Sequence, residues 1–139
     1  MSLSVFERLP DWALDYQQRV SLFIQSFGQR HGLPAGPGLG EGQAFEFDGV
    51  AMSFRYDPTR MPLHLVVAVD FGPLPDDALP ACRELLEANH LEFSRGSVYT
   101  VAPETGHVVC FASLSIEGLD DGRLDASLGA LSAAARALR

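Results

Sequence analysis

Lysine is absent from this 139-residue chain: all ten basic side chains are Arg, set against 18 acidic ones, for a formal net charge of -8. The arginines lie singly and build no basic patch. Phosphate backbones and anionic membrane surfaces are held by clustered cations, so neither nucleic acid nor membrane is an expected partner. A basic or amphipathic protein partner suits the charge; so does plain solubility. Also lacking is any apolar run near the roughly 20 residues that a membrane helix needs. The first ten residues carry Glu7 and Arg8 and do not read as a secretory signal. A cytoplasmic protein is the expectation.

Chemistry-bearing groups are equally sparse. Cys82 and Cys110 are the only cysteines. Both lie in apolar-patterned segments and read as two buried thiols rather than a disulfide. No pair among His31, His64, His90 and His107 has a zinc-ligand spacing. Gly-x-Ser-x-Gly does not occur. His107 and Cys110 differ by an odd number within one strand, which points them to opposite faces and argues against a nucleophile–base pair. Asp76-Asp77 and Asp120-Asp121 both open helices, where capping explains them better than acid–base work. The Gly/Pro-rich stretch from Gly32 to Gly42 has no following Lys-Ser/Thr, no preceding strand and no helix after it, so it is not a phosphate loop. The sequence therefore predicts no catalytic residue, no metal, no cofactor and no small-molecule substrate.

What is abundant is patterned apolar surface. With 47% apolar residues and nine Phe, the chain has material for one domain over residues 1–139, with 1–10 as a flexible lead. From about Trp12 to His31, the residues Tyr16, Val20, Phe23, Ile24 and Phe27 recur at helical spacing, with Asp11 as N-cap and Gly32 as stop. After the loop the period changes to two. Phe45 and Phe47, then Met52, Phe54 and Tyr56, then Leu63 to Phe71 predict three antiparallel strands, with a hairpin at Asp48-Gly49. The third is apolar on both faces in its middle and should be central. A helix opened by Asp76 or Asp77 runs to about Asn89. Strands follow over Ser97–Ala102 and His107–Ser115, joined at Pro103–Gly106. A final helix runs from about Asp120 to Leu138. The order α-β-β-β-α-β-β-α indicates an α+β fold, an antiparallel sheet flanked by helices.

Two features exceed what one small core needs. The middle helix has two apolar stripes, one of Leu79, Cys82 and Leu86 and one containing Leu85, so it should be covered on two sides, by the sheet and by a second layer or a second subunit. Leu79, Cys82, Leu85 and Leu86 are thus expected to divide between core and the interface of a homodimer. The first hairpin gathers its apolar side chains on one face. Phe45, Phe47, Met52 and Phe54, with Phe23 and Phe27 from the first helix, are candidates for an apolar binding groove; the competing reading makes them ordinary core.

Several segments resemble the class I type III secretion chaperones, the Tir-chaperone family. They are Glu84-Leu85-Leu86-Glu87-Ala88-Asn89-His90-Leu91, Pro103-Glu104-Thr105-Gly106-His107-Val108-Val109, Phe71-Gly72-Pro73-Leu74-Pro75, and Phe27-Gly28 with Gly32-Leu33. The likeness spans about Asp15 to Leu138; the Gly/Pro-rich loop departs from it. The resemblance implies a homodimer that holds an N-terminal segment of a secreted effector in extended form through apolar patches and strand addition, without a nucleotide. Its middle helix and a neighbouring strand would form the dimer contact. Two alternatives stay open: an interaction or regulatory module of similar fold that binds a folded partner, and a small hydrolase or ligand-binding domain.

Overall fold

A computed structural model describes residues 11–34, 36–92 and 96–138. The expected flexible lead, residues 1–10, lies outside them. The elements are helix α1 (Asp11–Arg30), a 3-10 turn (Leu39–Glu41), strands β1 (Phe45–Phe47), β2 (Val50–Arg55) and β3 (His64–Pro73), helix α2 (Ala78–Glu92), strands β4 (Ser97–Val101) and β5 (His107–Ser115), and helix α3 (Asp121–Leu138). The strands form one five-stranded antiparallel sheet in the order β1-β2-β3-β5-β4. The predicted α+β class and element order hold, and β3 is central as its doubly apolar pattern required.

Local chemistry explains the boundaries. At the end of α1 the Leu33 amide donates to the Gly28 carbonyl (2.9 Å) and the Gly32 amide to Gln29 (3.4 Å). Gly32 sits at φ +66°. This is a helix terminus closed through a left-handed residue, which glycine adopts without the Cβ penalty. Asp48 and Gly49 both have positive φ (49° and 78°) and join Phe47 to its register partner Val50. That two-residue turn matches the right-handed twist of the strands. Asp120 caps α3 by accepting from the Arg123 amide (2.8 Å).

One face of the sheet carries Met52, Phe54, Leu65, Val67, Val69, Val108 and Cys110, all buried. α3 packs over β1, β2 and β3, with α1 beside it. Val20, Ile24 and Phe27 of α1 and Leu124, Leu128 and Ala135 of α3 complete a single core cluster. The opposite face alternates Ser53, Arg55, Val66, Ala68, Phe111 and Ser113, and the Arg55 guanidinium lies over the Phe111 ring (5.4 Å). A bulge at Phe71 interrupts the β3–β5 ladder between Asp70 and Gly72. There the Asp70 carboxylate meets His107 Nδ1 at 3.0 Å.

α2 stands apart. It packs chiefly on β4. Leu85 alone of its residues joins the fringe of the core. It begins at Ala78, later than Asp76 or Asp77, and continues to Glu92, beyond the predicted end at Asn89. Cys82 is half-buried on α2, Cys110 is buried on β5, and no disulfide links them.

On their shared face of the sheet, α1 and α3 are clasped by polar groups. Ser26 Oγ donates to Asp121 Oδ2 (2.9 Å), and Arg30 pairs with both Asp121 and Asp125. His31 Nε2 lies 3.1 Å from Asp125 Oδ2. Asp125 is the hub. Its side chain is about one-third exposed, so solvent screens the pairs and their worth is modest. Asp125→Ala is expected to cost about 1 kcal/mol of stability, with the loss shrinking at high salt. Thermal melts of the two proteins at low and high ionic strength measure both effects.

Candidate functional site

The six expected groove residues converge, but mostly inward. Phe27, Phe45, Met52 and Phe54 are 0%, 7%, 2% and 0% exposed. The Phe27 ring centroid lies 5.2 Å from those of both Phe45 and Phe54, and Phe45 and Phe54 are 4.9 Å apart. These four side chains are core in this conformation, a correction to the groove reading. The physical reason is the cover: α3 lies over the hairpin face whose exposure the strand pattern alone left undecided. Phe23 and Phe47 are half-buried against the same cluster and keep some surface. Phe47 lies beside the His31 ring at 5.4 Å.

An open groove lies on the other side of α1, under the Gly/Pro-rich loop. It encloses about 590 Å³. Val20, Ile24, Leu33, Leu39 and Tyr56 supply apolar lining, and Gln17, Gln25 and Gln29 project along the helix rim. The loop is not shapeless: its 3-10 turn buries Leu39 against α1. Gly28 permits that approach, because a Cβ there would stand 3.0 Å from Leu39 Cδ1. The Tyr56 hydroxyl donates to the Pro62 carbonyl (2.7 Å), and burial holds its phenol above the ordinary tyrosine range. Tyr56 therefore acts here as a neutral donor and an apolar wall. Amide side chains along the α1 rim and an apolar floor suit peptide main chain and apolar side chains, with the Glu41 carboxylate as the charged group of the lining. Sequence reading missed this site because Leu39 stood alone among glycines and prolines, without periodicity.

The α2 residues divide sharply. Cys82 and Leu85 are half-buried, Leu85 against the core, whereas Leu79 and Leu86 are 84% and 70% exposed. Leu91 near the end of the helix is 71% exposed. Leu79, Arg83, Leu86 and His90 line one shallow outer surface.

His107 turns to Asp70, while Cys110 is 1% exposed within the core. Among the described residues no three His, Cys, Asp or Glu side chains gather as a metal site. Among those residues, too, no helix is long and apolar enough to cross a membrane.

A sheet with two helices on one face, and a helix packed at its β4 edge that leaves Leu79 and Leu86 exposed, presents apolar surface of the kind that marks protein-binding modules. The sequence profile of the Tir chaperone protein (CesT) family matches residues 22–139. The chain belongs to that family of chaperones. Three solved structures share its fold. A chain of the ExsC–ExsE complex aligns with TM-score 0.68 at 22% identity, over 85% of this chain and 89% of that one. The Yersinia pestis type III secretion chaperone SycH, in complex with a stable fragment of YscM2, aligns at 0.60 and 19%, over 86% and 98%. A chain of the HopA1–SchA chaperone–effector complex aligns at 0.65 and 15%, over 95% and 98%. No curated protein matches the chain significantly by sequence.

Proposed function

We propose that this chain is a type III secretion chaperone that binds the N-terminal segment of a secreted effector and keeps it extended and competent for export. Family membership across residues 22–139 is the observation that carries the reading. The apolar-floored, glutamine-rimmed groove along α1 supports it. Such a groove takes up apolar side chains of an unfolded segment, and binding itself supplies the driving force. The protein works in the cytoplasm as a homodimer, without catalysis, metal or nucleotide. α2 forms the dimer contact through Leu79 and Leu86, which one copy leaves in water. The half-buried Phe23 and Phe47 extend the apolar contact surface on the hairpin side of α1.

Purification of the tagged protein from its native bacterium, with mass spectrometry of what accompanies it, tests the reading. The expected partner is a protein exported by the secretion apparatus, bound through its N-terminal region; a folded, non-exported partner would favour the regulatory-module alternative. Gln25→Trp probes the groove. Gln25 is exposed on the rim, so melting should move by no more than about 0.5 kcal/mol. Effector capture should fall about tenfold, equivalent to about 1.4 kcal/mol, because the indole fills the space. Unchanged capture in a pull-down titration would place the contact elsewhere.

A further inference from the structure

β4 is an edge strand, paired with β5 on one side only. Residues along such a strand turn their main-chain groups alternately toward the sheet and away from it. Gly96 and Ala102 face inward: the Gly96 carbonyl accepts from Ser113, and the Ala102 amide donates to His107. Ser97, Tyr99 and Val101 consequently turn outward, presenting the row of donors and acceptors to which another strand pairs.

The middle of that row is occupied. Asn89 Nδ2 donates to the Tyr99 carbonyl (2.9 Å), and the Tyr99 amide donates to Asn89 Oδ1 (2.6 Å). A carboxamide has one donor side and one acceptor side at the spacing of a peptide group. Here it makes the two bonds that a residue of a neighbouring antiparallel strand would make. It reaches the edge from α2, a helix otherwise held mainly by packing on β4.

We propose that Asn89 is an edge stopper that denies β4 to added strands, whether from a second copy of this chain or from an extended effector segment. This deepens the proposed function and rests on it for two consequences. The homodimer contact is one of side chains, not a sheet continued through β4. An effector segment that adds as a strand is directed to the opposite edge, β1. The stopper is also protective, because an open edge flanked by exposed Val98 and Val101 is a template for end-to-end association.

The test is the size of the protein in solution. Sedimentation velocity of the wild type across a wide concentration range establishes its own state, and a monomer there would sink the homodimer reading without touching this one. Asn89→Ala is expected to associate beyond the wild-type state with at least tenfold greater affinity. Asn89→Ala combined with Val101→Pro should return to the wild-type distribution. Val101 turns its amide outward, so proline removes an edge donor without breaking the β5 ladder, and proline is tolerated on edge strands. Asn89→Asp keeps the shape and sets a charge on the edge, and should stay at the wild-type size. If Asn89→Ala keeps the wild-type distribution throughout, or if the proline variant associates as strongly as Asn89→Ala alone, the assignment is overturned. Should Asn89→Ala not fold, Asn89→Gln takes its place under the same two outcomes, since the longer side chain cannot hold both bonds.

Discussion

Phe54→Ala lowers the stability of the folded chain by about 3–5 kcal/mol. Phe54 is fully buried in the middle of β2, opposite Val67 of β3, and its ring meets both Phe27 and Phe45. Truncation removes a large apolar side chain and leaves a cavity between α1, the hairpin and the sheet. The surrounding rings, Phe27 of α1 and Phe45 of β1, belong to two different elements and cannot collapse together into the space. Against a typical total of about 5–15 kcal/mol, this is a loss of about a fifth or more. Urea denaturation should show a lower midpoint with an unchanged slope, because the surface exposed on unfolding stays nearly the same. Phe47→Ala, at a half-buried position, should cost clearly less. The comparison also tests the two readings of this aromatic cluster. If Phe54→Ala melts like the wild type yet loses effector capture, the cluster is a groove that opens, and the core assignment falls.

Leu86→Glu should abolish self-association while leaving the fold intact. Leu86 stands on the outer stripe of α2 with Leu79, away from the half-buried Cys82 and Leu85. At so exposed a position, stability of a single copy should change by about 0.5 kcal/mol at most. In the proposed homodimer the same leucine lies in the contact. Replacing it puts a carboxylate of each copy beside its counterpart, without a partner and out of water. Loss of a central apolar anchor costs about 2 kcal/mol or more, roughly a thirtyfold weakening before the charge is counted. Sedimentation equilibrium of both proteins is the measurement. A Leu86→Glu protein with wild-type association would place the dimer contact away from α2. Leu85→Glu should behave differently, because Leu85 packs at the fringe of the core; it should unfold the α2–β4 region before it affects association.

The contrast between Leu85 and Leu86 illustrates where reading the chain ends. Both belong to apolar stripes of one helix, and the periodicity predicted a helix covered on two sides. The rotation of α2 about its axis, which sends Leu85 to β4 and Leu86 to solvent, depends on where β4 lies, and β4 is placed by its pairing with β5. The aromatic cluster has the same history. Alternation put Phe45, Met52 and Phe54 on one face, but covered or open depends on α3, whose first residue follows Phe54 by 67 positions. The groove was hidden for a different reason. Leu39 becomes a wall where the loop meets α1 beside Gly28, eleven residues earlier in sequence, whose missing Cβ eases the contact.

Element order, the Asp48-Gly49 hairpin, the Gly32 helix stop, the Asp120 cap, the central place of β3 and the family likeness all rest on short-range chemistry. Turn dihedrals, capping groups and apolar period are properties of a few adjacent residues, and they were legible in the chain alone. Burial is a property of two surfaces that meet. So are the clasp of Arg30 and His31 with Asp125, 95 and 94 positions away, and the carboxamide of Asn89 on the edge at Tyr99. Only the tertiary structure decided those, because sequence specifies each surface separately and packing alone determines which of them face each other.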